Sequence, residues 1–197
     1  AIAGLGTNAY AAHQIALRLE SISLTVGFSF GAATTTLVGQ YLGYGDSSKS
    51  EEAAWKAQKI ASTAMGCLGI VIFFTAPMVV KLMVPGNAEV TELGSTVLRI
   101  IAVAQPFMAI NHVLAGGLRG AGDTKWVMYI TAIGNWGVRL VFSLLFVFVF
   151  DLGLNGFWLA MGVDIVIRSI LISWRYASGK WQDHKVLGTR RAQPQNK

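Results

Sequence analysis

The sequence predicts an all-α polytopic membrane protein with five transmembrane helices. Residues 21–45, 60–80 and 140–150 contain no charged side chain, and runs of about 20 apolar residues match the roughly 30 Å hydrocarbon core of a bilayer. Composition agrees, since 53% of the 197 residues are hydrophobic and 13% are charged, whereas soluble domains carry about 25% charge. The third observation is that the loops carry their Lys and Arg on alternate sides only.

Short polar turns separate the predicted helices. Gly43–Asp46 ends the first helix, Pro85–Asn87 the second and Gly120–Asp123 the third. We expect Ser50 to be the N-cap of the second helix. Pro106 falls inside the third helix, where it predicts a kink. The predicted helices cover about residues 9–42, 51–83, 89–118, 124–150 and 154–177.

The distribution of cations predicts the orientation. The regions after the first and third helices hold five Lys and Arg, and the polar segment after the last apolar run holds six more, counted from Arg175, which makes eleven. The opposite loops hold only Lys81. The positive-inside rule therefore places the N-terminus outside and the C-terminus in the cytoplasm. The basic tail, residues 179–197, is typical of a segment near anionic lipid, and it lacks the interleaved aromatic residues that would favour nucleic acid as a partner.

Several local motifs have ordinary structural interpretations. The segment Arg119–Thr124 resembles a glycine-rich anion hole, but that site needs a supporting strand. A tight turn is favoured instead, with glycine supplying positive φ and Asp123 capping the next helix. Cys67 stands alone in an apolar run, so no disulfide framework is available and we expect a small buried side chain. Gly27 and Gly31 would let two helices approach closely.

Ionisable and amide side chains inside the predicted spans are the candidate functional residues. A charge at mid-bilayer costs at least about 2.5–3.5 kcal/mol, so it normally faces the bundle interior or an aqueous cavity. Asp164 and Arg168 are spaced to pair on one face, as a structural brace or as part of coupling. Glu20 could pair with an arginine or bind and release a proton. The charged candidates are Arg18, Glu20, Arg99, Arg139, Asp164 and Arg168, and the cavity candidates are Gln14, Gln105, Asn111 and Asn135. No nucleophile–base set or metal-ligand spacing predicts an enzyme, and a metal site stays unassigned.

Six stretches, in order along nearly the whole chain, resemble the multidrug and toxic compound extrusion (MATE) family. They are Ala11–Ile15, Arg18–Ser21, Val38–Gly43, Gly116–Thr124, Gly156–Ala160 and Ser178–Trp181. The resemblance implies helices eight to twelve of a twelve-helix transporter, with residues 1–178 forming a C-terminal lobe that lacks its first helix. It also implies export of cationic or amphipathic drugs against Na⁺ or H⁺ by rocking of two lobes in a prokaryotic plasma membrane. No cofactor is expected, and the partners are small-molecule drugs, membrane lipid and the missing N-terminal lobe.

One departure from the family pattern leaves the coupling ion open. Many members carry the cation on acidic residues of the seventh and tenth helices, but the stretch that matches the tenth, about residues 89–118, has no carboxylate in its membrane core. Glu20 is therefore a supporting candidate. Two alternatives stay open: a lipid-linked oligosaccharide flippase of the same superfamily, whose arginines would meet a pyrophosphate, and a non-transporting membrane scaffold whose buried charges are all mutually paired.

Overall fold

The computed structural model describes residues 6–182. In this part of the chain five helices are long and apolar enough to cross a membrane, and there is no strand. The all-α polytopic fold class is thus confirmed. Of the predicted basic tail, residues 183–197 lie outside the described range. The helices are α1 (Thr7–Gly43), α2 (Ser47–Met83), α3 (Ala88–Gly120), α4 (Thr124–Val149) and α5 (Gly153–Ala177).

The start of α2 differs from the prediction. Asp46 is the N-cap, and its side chain accepts a hydrogen bond from Lys49 N at 3.0 Å. The Lys49 side chain also binds the Asp46 carboxyl, and this hydrogen bonding lowers the pKa of Asp46. The prediction of Ser50 as the cap was wrong, because the better acceptor four residues earlier begins the helix first. Ser50 is buried in the first turn, where its Oγ donates to the Val38 carbonyl at 3.3 Å.

Helix α3 lies at the centre of the bundle. In its most apolar 18-residue window 56% of the residues are buried, against 6% in α4. Helix α3 packs against α1, α2 and α5, whereas α4 packs mainly on α5. A Cβ at Gly116 would overlap the Gly31 carbonyl, so the backbones of α1 and α3 touch. Thr35 Oγ1 adds a hydrogen bond to the Gly116 carbonyl at 2.9 Å.

Two segments of α4 are π-helical, which the sequence analysis did not predict. They are Ile133–Arg139 and Leu145–Val149. A π turn has one extra residue, so it changes which side chains face a neighbouring helix, and such turns are frequent at functional sites. The first segment places Gly134 and Arg139 toward α5, as described below.

Cys67 contradicts the expectation of burial. Its side chain is exposed on α2, on the same face as Ile60, Ile70 and Phe74. This face is apolar, and in a membrane it meets lipid at no hydration cost. A small residue in an apolar run is therefore as compatible with the lipid face as with the core.

Candidate functional site

Four charged residues from three helices form a buried charge cluster, comprising Glu20 of α1, Arg139 of α4, and Asp164 and Arg168 of α5. Asp164 is 0% exposed and Glu20 is 9% exposed. Arg168 Nη2 lies 2.5 Å from Asp164 Oδ2, as their spacing predicts. The other Asp164 oxygen, Oδ1, is buried and has no hydrogen-bond partner in the described part of the chain. The ion pair therefore gives a hydrogen-bond partner to only one of the two carboxylate oxygens.

The backbone of α4 covers this ion pair. A Cβ built at Gly134 would lie 2.6 Å from Asp164 Oδ1 and 2.5 Å from Arg168 Cδ. Both distances are below ordinary contact, so only glycine allows α4 to lie this close. The π segment thus closes the Asp164–Arg168 pair off on the α4 side.

Arg139 links the two carboxylates of the cluster. Its charge acts on both Glu20 and Asp164. The guanidinium is half-buried, with Nη2 2.6 Å from Met161 Sδ and Cζ 6.0 Å from the Phe157 ring centroid. Glu20 belongs to none of the ion pairs within 4.0 Å that residues 6–182 form. Arg139 therefore attracts Glu20 across a gap without holding it in direct contact.

Two of the predicted cavity amides bridge helices. Gln105 is fully buried, and its Nε2 donates to Ser23 Oγ at 2.6 Å between α3 and α1. The interpretation of Gln105 as a cavity contact was therefore wrong: Gly69 of α2 leaves room for its stem, and the amide joins the core. Asn111 Nδ2 donates to the Ile165 carbonyl of α5 at 2.9 Å, while its Oδ1 is buried without a partner in the described residues.

Of the two places expected for the arginines, the bundle interior and an aqueous cavity, two arginines do not occupy the interior. Arg18 is exposed on α1, and Arg99 is exposed on α3. The cavity candidates Gln14 and Asn135 are also exposed, on α1 and on the first π segment of α4. Sequence position gives depth along a helix, but it does not tell which side of the helix faces the bundle.

Helix α1 presents a polar face on its exposed side. An α-helix turns by about 100° per residue, and on that basis the residues of this face fall within an arc of about 100° around the helix axis. The arc lies opposite Ser23, Gly27 and Gly31, which face α3. A polar stripe along most of a transmembrane helix is unfavourable against lipid and typical of a surface that lines water or a ligand pathway. The polar face consists of Gln14, Arg18, Ser21, Thr25, Ser29, Thr36 and Gln40, and the same arc also holds the exposed apolar residues Ile22 and Ala32.

The hydroxyl groups of the polar face use their protons within α1. Thr25 Oγ1 donates to the Ser21 carbonyl at 2.9 Å, and Ser29 Oγ donates to the Thr25 carbonyl at 2.8 Å. Ser21 and Thr36 make equivalent bonds to preceding carbonyls. The oxygen lone pairs remain as acceptors, and acceptors suit a cation or a donor-bearing ligand. The four-residue spacing of Ser21, Thr25 and Ser29 is visible in the sequence and could have revealed this face.

A second buried ion pair was missed. Arg175 Nε donates to Asp123 Oδ2 at 2.8 Å, and its Cζ lies 4.8 Å from the Trp126 ring centroid. Asp123 was predicted to cap α4, but its side chain makes no cap hydrogen bond to that helix. Arg175 therefore joins α5 to the α3–α4 turn, where Gly122 adopts the predicted positive φ of 85°. Its position at the end of the last apolar run had indicated a solvated tail cation.

The described residues hold no group of three or more His, Cys, Asp or Glu side chains suited to a metal ion. His13 and His112 are half-buried and pack against neighbouring helices. His13 packs on Trp158, with ring centroids 5.5 Å apart. His112 occupies the space that Gly27 leaves open, where a Cβ would lie 2.6 Å from His112 Cδ2.

Solved transporters share this fold. The crystal structure of a MATE protein in complex with MaD3S superposes with a TM-score of 0.85 at 20% identity, covering 91% of this chain and 40% of that one. An outward-facing multidrug resistance MATE family transporter of the MOP superfamily superposes with a TM-score of 0.77 at 22% identity, with the same coverage.

Sequence comparison identifies the family. The chain is 34% identical over 182 residues to the probable multidrug resistance protein NorM of Thermotoga maritima, covering 92% of this chain and 39% of that protein. It is 31% identical over 176 residues to the multidrug resistance protein NorM of Burkholderia vietnamiensis, covering 87% and 38%. The chain thus spans about two fifths of the length of these relatives. The MatE family model matches residues 1–145, and the chain therefore belongs to the MatE, or multidrug and toxic compound extrusion, family.

Proposed function

We propose that the intact protein is a secondary active exporter of cationic or amphipathic drugs, driven by Na⁺ or H⁺, and that this chain supplies most of its C-terminal lobe. The observation that carries the proposal is the polar face of α1, which spans the membrane on the side away from α3. Relatives named as multidrug resistance proteins support the same class of function. The lobe covers residues 1–178, and residues 179–197 form a basic cytoplasmic tail.

The orientation follows from the ends of the helices. Lys49, Lys56 and Lys59 at the start of α2 lie at the same end of the bundle as Arg119 and Lys125 of the α3–α4 turn. The end carrying these cations is cytoplasmic in our proposal, and the N-terminus faces outward. For the organisms of the relatives, this corresponds to the inner membrane of a prokaryote.

The polar face of α1 is proposed to line the cleft between two lobes. Its hydroxyl lone pairs accept hydrogen bonds from the ammonium or amine of a cationic drug, and Gln14 and Gln40 add amides at the two ends. The N-terminal lobe of the intact protein lies across this cleft. Rocking of the lobes would expose the face to each side of the membrane in turn.

The buried charge cluster is proposed to hold the coupling ion. Arg139 attracts both Glu20 and Asp164. When a proton or Na⁺ neutralises Glu20, the Arg139 charge is attracted by Asp164 alone. Glu20 and the polar face lie on opposite sides of α1. The ion and the drug would therefore contact α1 from opposite sides. A shift in the position of α1 would couple the binding of one to the binding of the other.

Efflux by the intact protein tests the proposed function. In a drug-sensitive bacterium, cells expressing it should lose preloaded ethidium faster than cells with an empty vector. A protonophore together with a sodium ionophore, which collapse the proton and sodium gradients respectively, should abolish the difference. Absence of efflux for every cationic dye tried, with the protein present in the membrane, would contradict drug export.

The two alternatives receive less support from the geometry. A pyrophosphate site would need the arginines in one cavity, but Arg18 lies on the polar face of α1, Arg99 faces a groove beside α2, and Arg168 is paired with Asp164. A scaffold would have its buried charges fully paired, whereas Asp164 Oδ1 and Arg168 Nε lack partners in the described part. Both observations favour transport of a cation.

A further inference from the structure

An apolar groove runs between α2, α3 and α5, apart from the polar face and the buried charge cluster. Its volume is about 550 Å³, within the roughly 300–1,000 Å³ range of ligand pockets. Val103, on its floor, is 62% exposed, so the groove is open along its length. Its apolar walls include Phe73 of α2, Ile100, Val103 and Phe107 of α3, and Leu159 and Val163 of α5.

The groove contains one charged side chain, Arg99. Its guanidinium Cζ lies 5.6 Å from the centroid of the Phe73 ring, which holds it against the groove wall. No carboxylate of residues 6–182 forms an ion pair with Arg99 within 4.0 Å. Among the described residues, a cation is thus held at the rim of an apolar groove without a counter-ion.

Arg99 lies in the half of α3 that is nearer the α2–α3 turn. Arg99 follows the exposed Glu92 by two turns of α3, about 10 Å along the axis. Side chains on a helix tilt toward its N-terminus, and long basic side chains extend toward the membrane interface. An Arg99 side chain extended in this way reaches toward the interface on the side of the α2–α3 turn. In this structure its guanidinium lies over the Phe73 ring, and the groove beside it lies in the hydrocarbon.

We infer that this groove binds an anionic phospholipid, with an acyl chain against Val103, Phe107 and Val163 and the phosphate on Arg99. Charge complementarity favours this occupant, because a guanidinium without a counter-ion can donate two parallel hydrogen bonds to the oxygens of a phosphate. Thr96 at the same rim uses its hydroxyl proton on the Glu92 carbonyl at 3.0 Å. Arg99 is therefore the donor to the phosphate.

Native mass spectrometry of the intact, delipidated protein tests this site. Dioleoyl phosphatidylglycerol and dioleoyl phosphatidylcholine, which share their acyl chains, should be titrated separately. The wild type should retain phosphatidylglycerol at least about fivefold more tightly, and Arg99→Gln should remove that preference. Lys81→Gln is the matched control. Lys81 is an exposed cation at the end of α2 that adjoins the α2–α3 turn, and this substitution also removes one positive charge. Arg99→Lys retains the positive charge and should keep part of the preference. It therefore tests the site even if Arg99→Gln fails to fold.

Three outcomes would overturn the inference. An unchanged phosphatidylglycerol preference in Arg99→Gln would remove Arg99 from the site. An equal loss in Lys81→Gln would make the effect one of general surface charge. A membrane-soluble carbene reagent should label residues 159–167 in the intact protein, and protection of that segment in delipidated protein would show that another helix fills the groove.

Discussion

The Cβ position of Gly134 lies 2.6 Å from Asp164 Oδ1, so the backbone of α4 closes directly over the buried ion pair of α5. The same position lies 2.5 Å from Arg168 Cδ. A π turn at Ile133–Arg139 brings this glycine to the contact and ends at Arg139, whose charge acts on the same carboxylate. The position of α4 and the charge balance of the cluster therefore depend on one residue without a side chain.

Gly134→Ala should destabilise the intact protein by about 1–3 kcal/mol, the usual range for overpacking. The added methyl must displace either α4 or the Arg168 stem. Thermal unfolding of purified protein should show a lower Tm. Gly137→Ala is the control, since a Cβ there meets only Ile133 Cγ2 at 3.8 Å. Equal losses in the two variants would contradict close packing at Gly134.

Removing one member of the Asp164–Arg168 pair should cost about 3–5 kcal/mol, because it leaves an uncompensated charge in a buried site. Asp164→Asn leaves Arg168, whose side chain is 19% exposed, without its 2.5 Å partner. The double variant Asp164→Asn with Arg168→Gln should recover part of that loss. Unfolding of the wild type, the single variants Asp164→Asn and Arg168→Gln, and the double variant gives the coupling energy. Purely additive losses would show that the pair contributes nothing as a pair.

The second ion pair should be as sensitive. Arg175→Gln removes the 2.8 Å hydrogen bond to Asp123 and the stacking on Trp126, and we expect a loss of several kcal/mol. Lys180→Gln is the control, because Lys180 is an exposed cation close to Arg175 in the chain. It should shift Tm little, since isolated surface charges contribute about 0–1 kcal/mol. A small effect of Arg175→Gln on Tm would mean that the α3–α4 turn is held by other contacts.

The polar face of α1 should be accessible to water. A cysteine at Thr25 should react with a small charged maleimide in membranes, because water in the cleft allows the thiolate to form. The native Cys67 should not react, since it lies among Ile60, Ile70 and Phe74 on an apolar face. Mass analysis of labelled peptides separates the two sites. Labelling of Cys67 but not of residue 25 would reverse the assignment of lipid and cleft faces.

The five helices were predictable because long apolar runs and polar turns are properties of the sequence alone. The Asp164–Arg168 pair was predictable for a similar reason, since residues four apart share a helix face. The bundle geometry was not. Whether Gln105 meets Ser23 or a cavity depends on the rotation of α3 against α1, which close approach at Gly116 determines.

Long-range pairs and backbone irregularities were also beyond the sequence. Asp123 and Arg175 are 52 residues apart, and each has an ordinary local interpretation as a cap or a tail cation. The π turns of α4 have no local signal such as proline in the sequence. The polar face of α1 is different, because the four-residue spacing of Ser21, Thr25 and Ser29 is visible in the sequence.

Ethidium efflux by the Glu20→Gln variant of the intact protein tests the central claim most directly. Glu20 is buried, and Arg139 attracts it without direct contact, so our account predicts that the variant reaches the membrane at wild-type levels but loses at least about tenfold in efflux rate. Glu52→Gln, an exposed carboxylate that pairs with Lys56 at the start of α2, should retain wild-type efflux. Full efflux by Glu20→Gln would contradict the account, because the buried charge cluster would then have no part in coupling through Glu20.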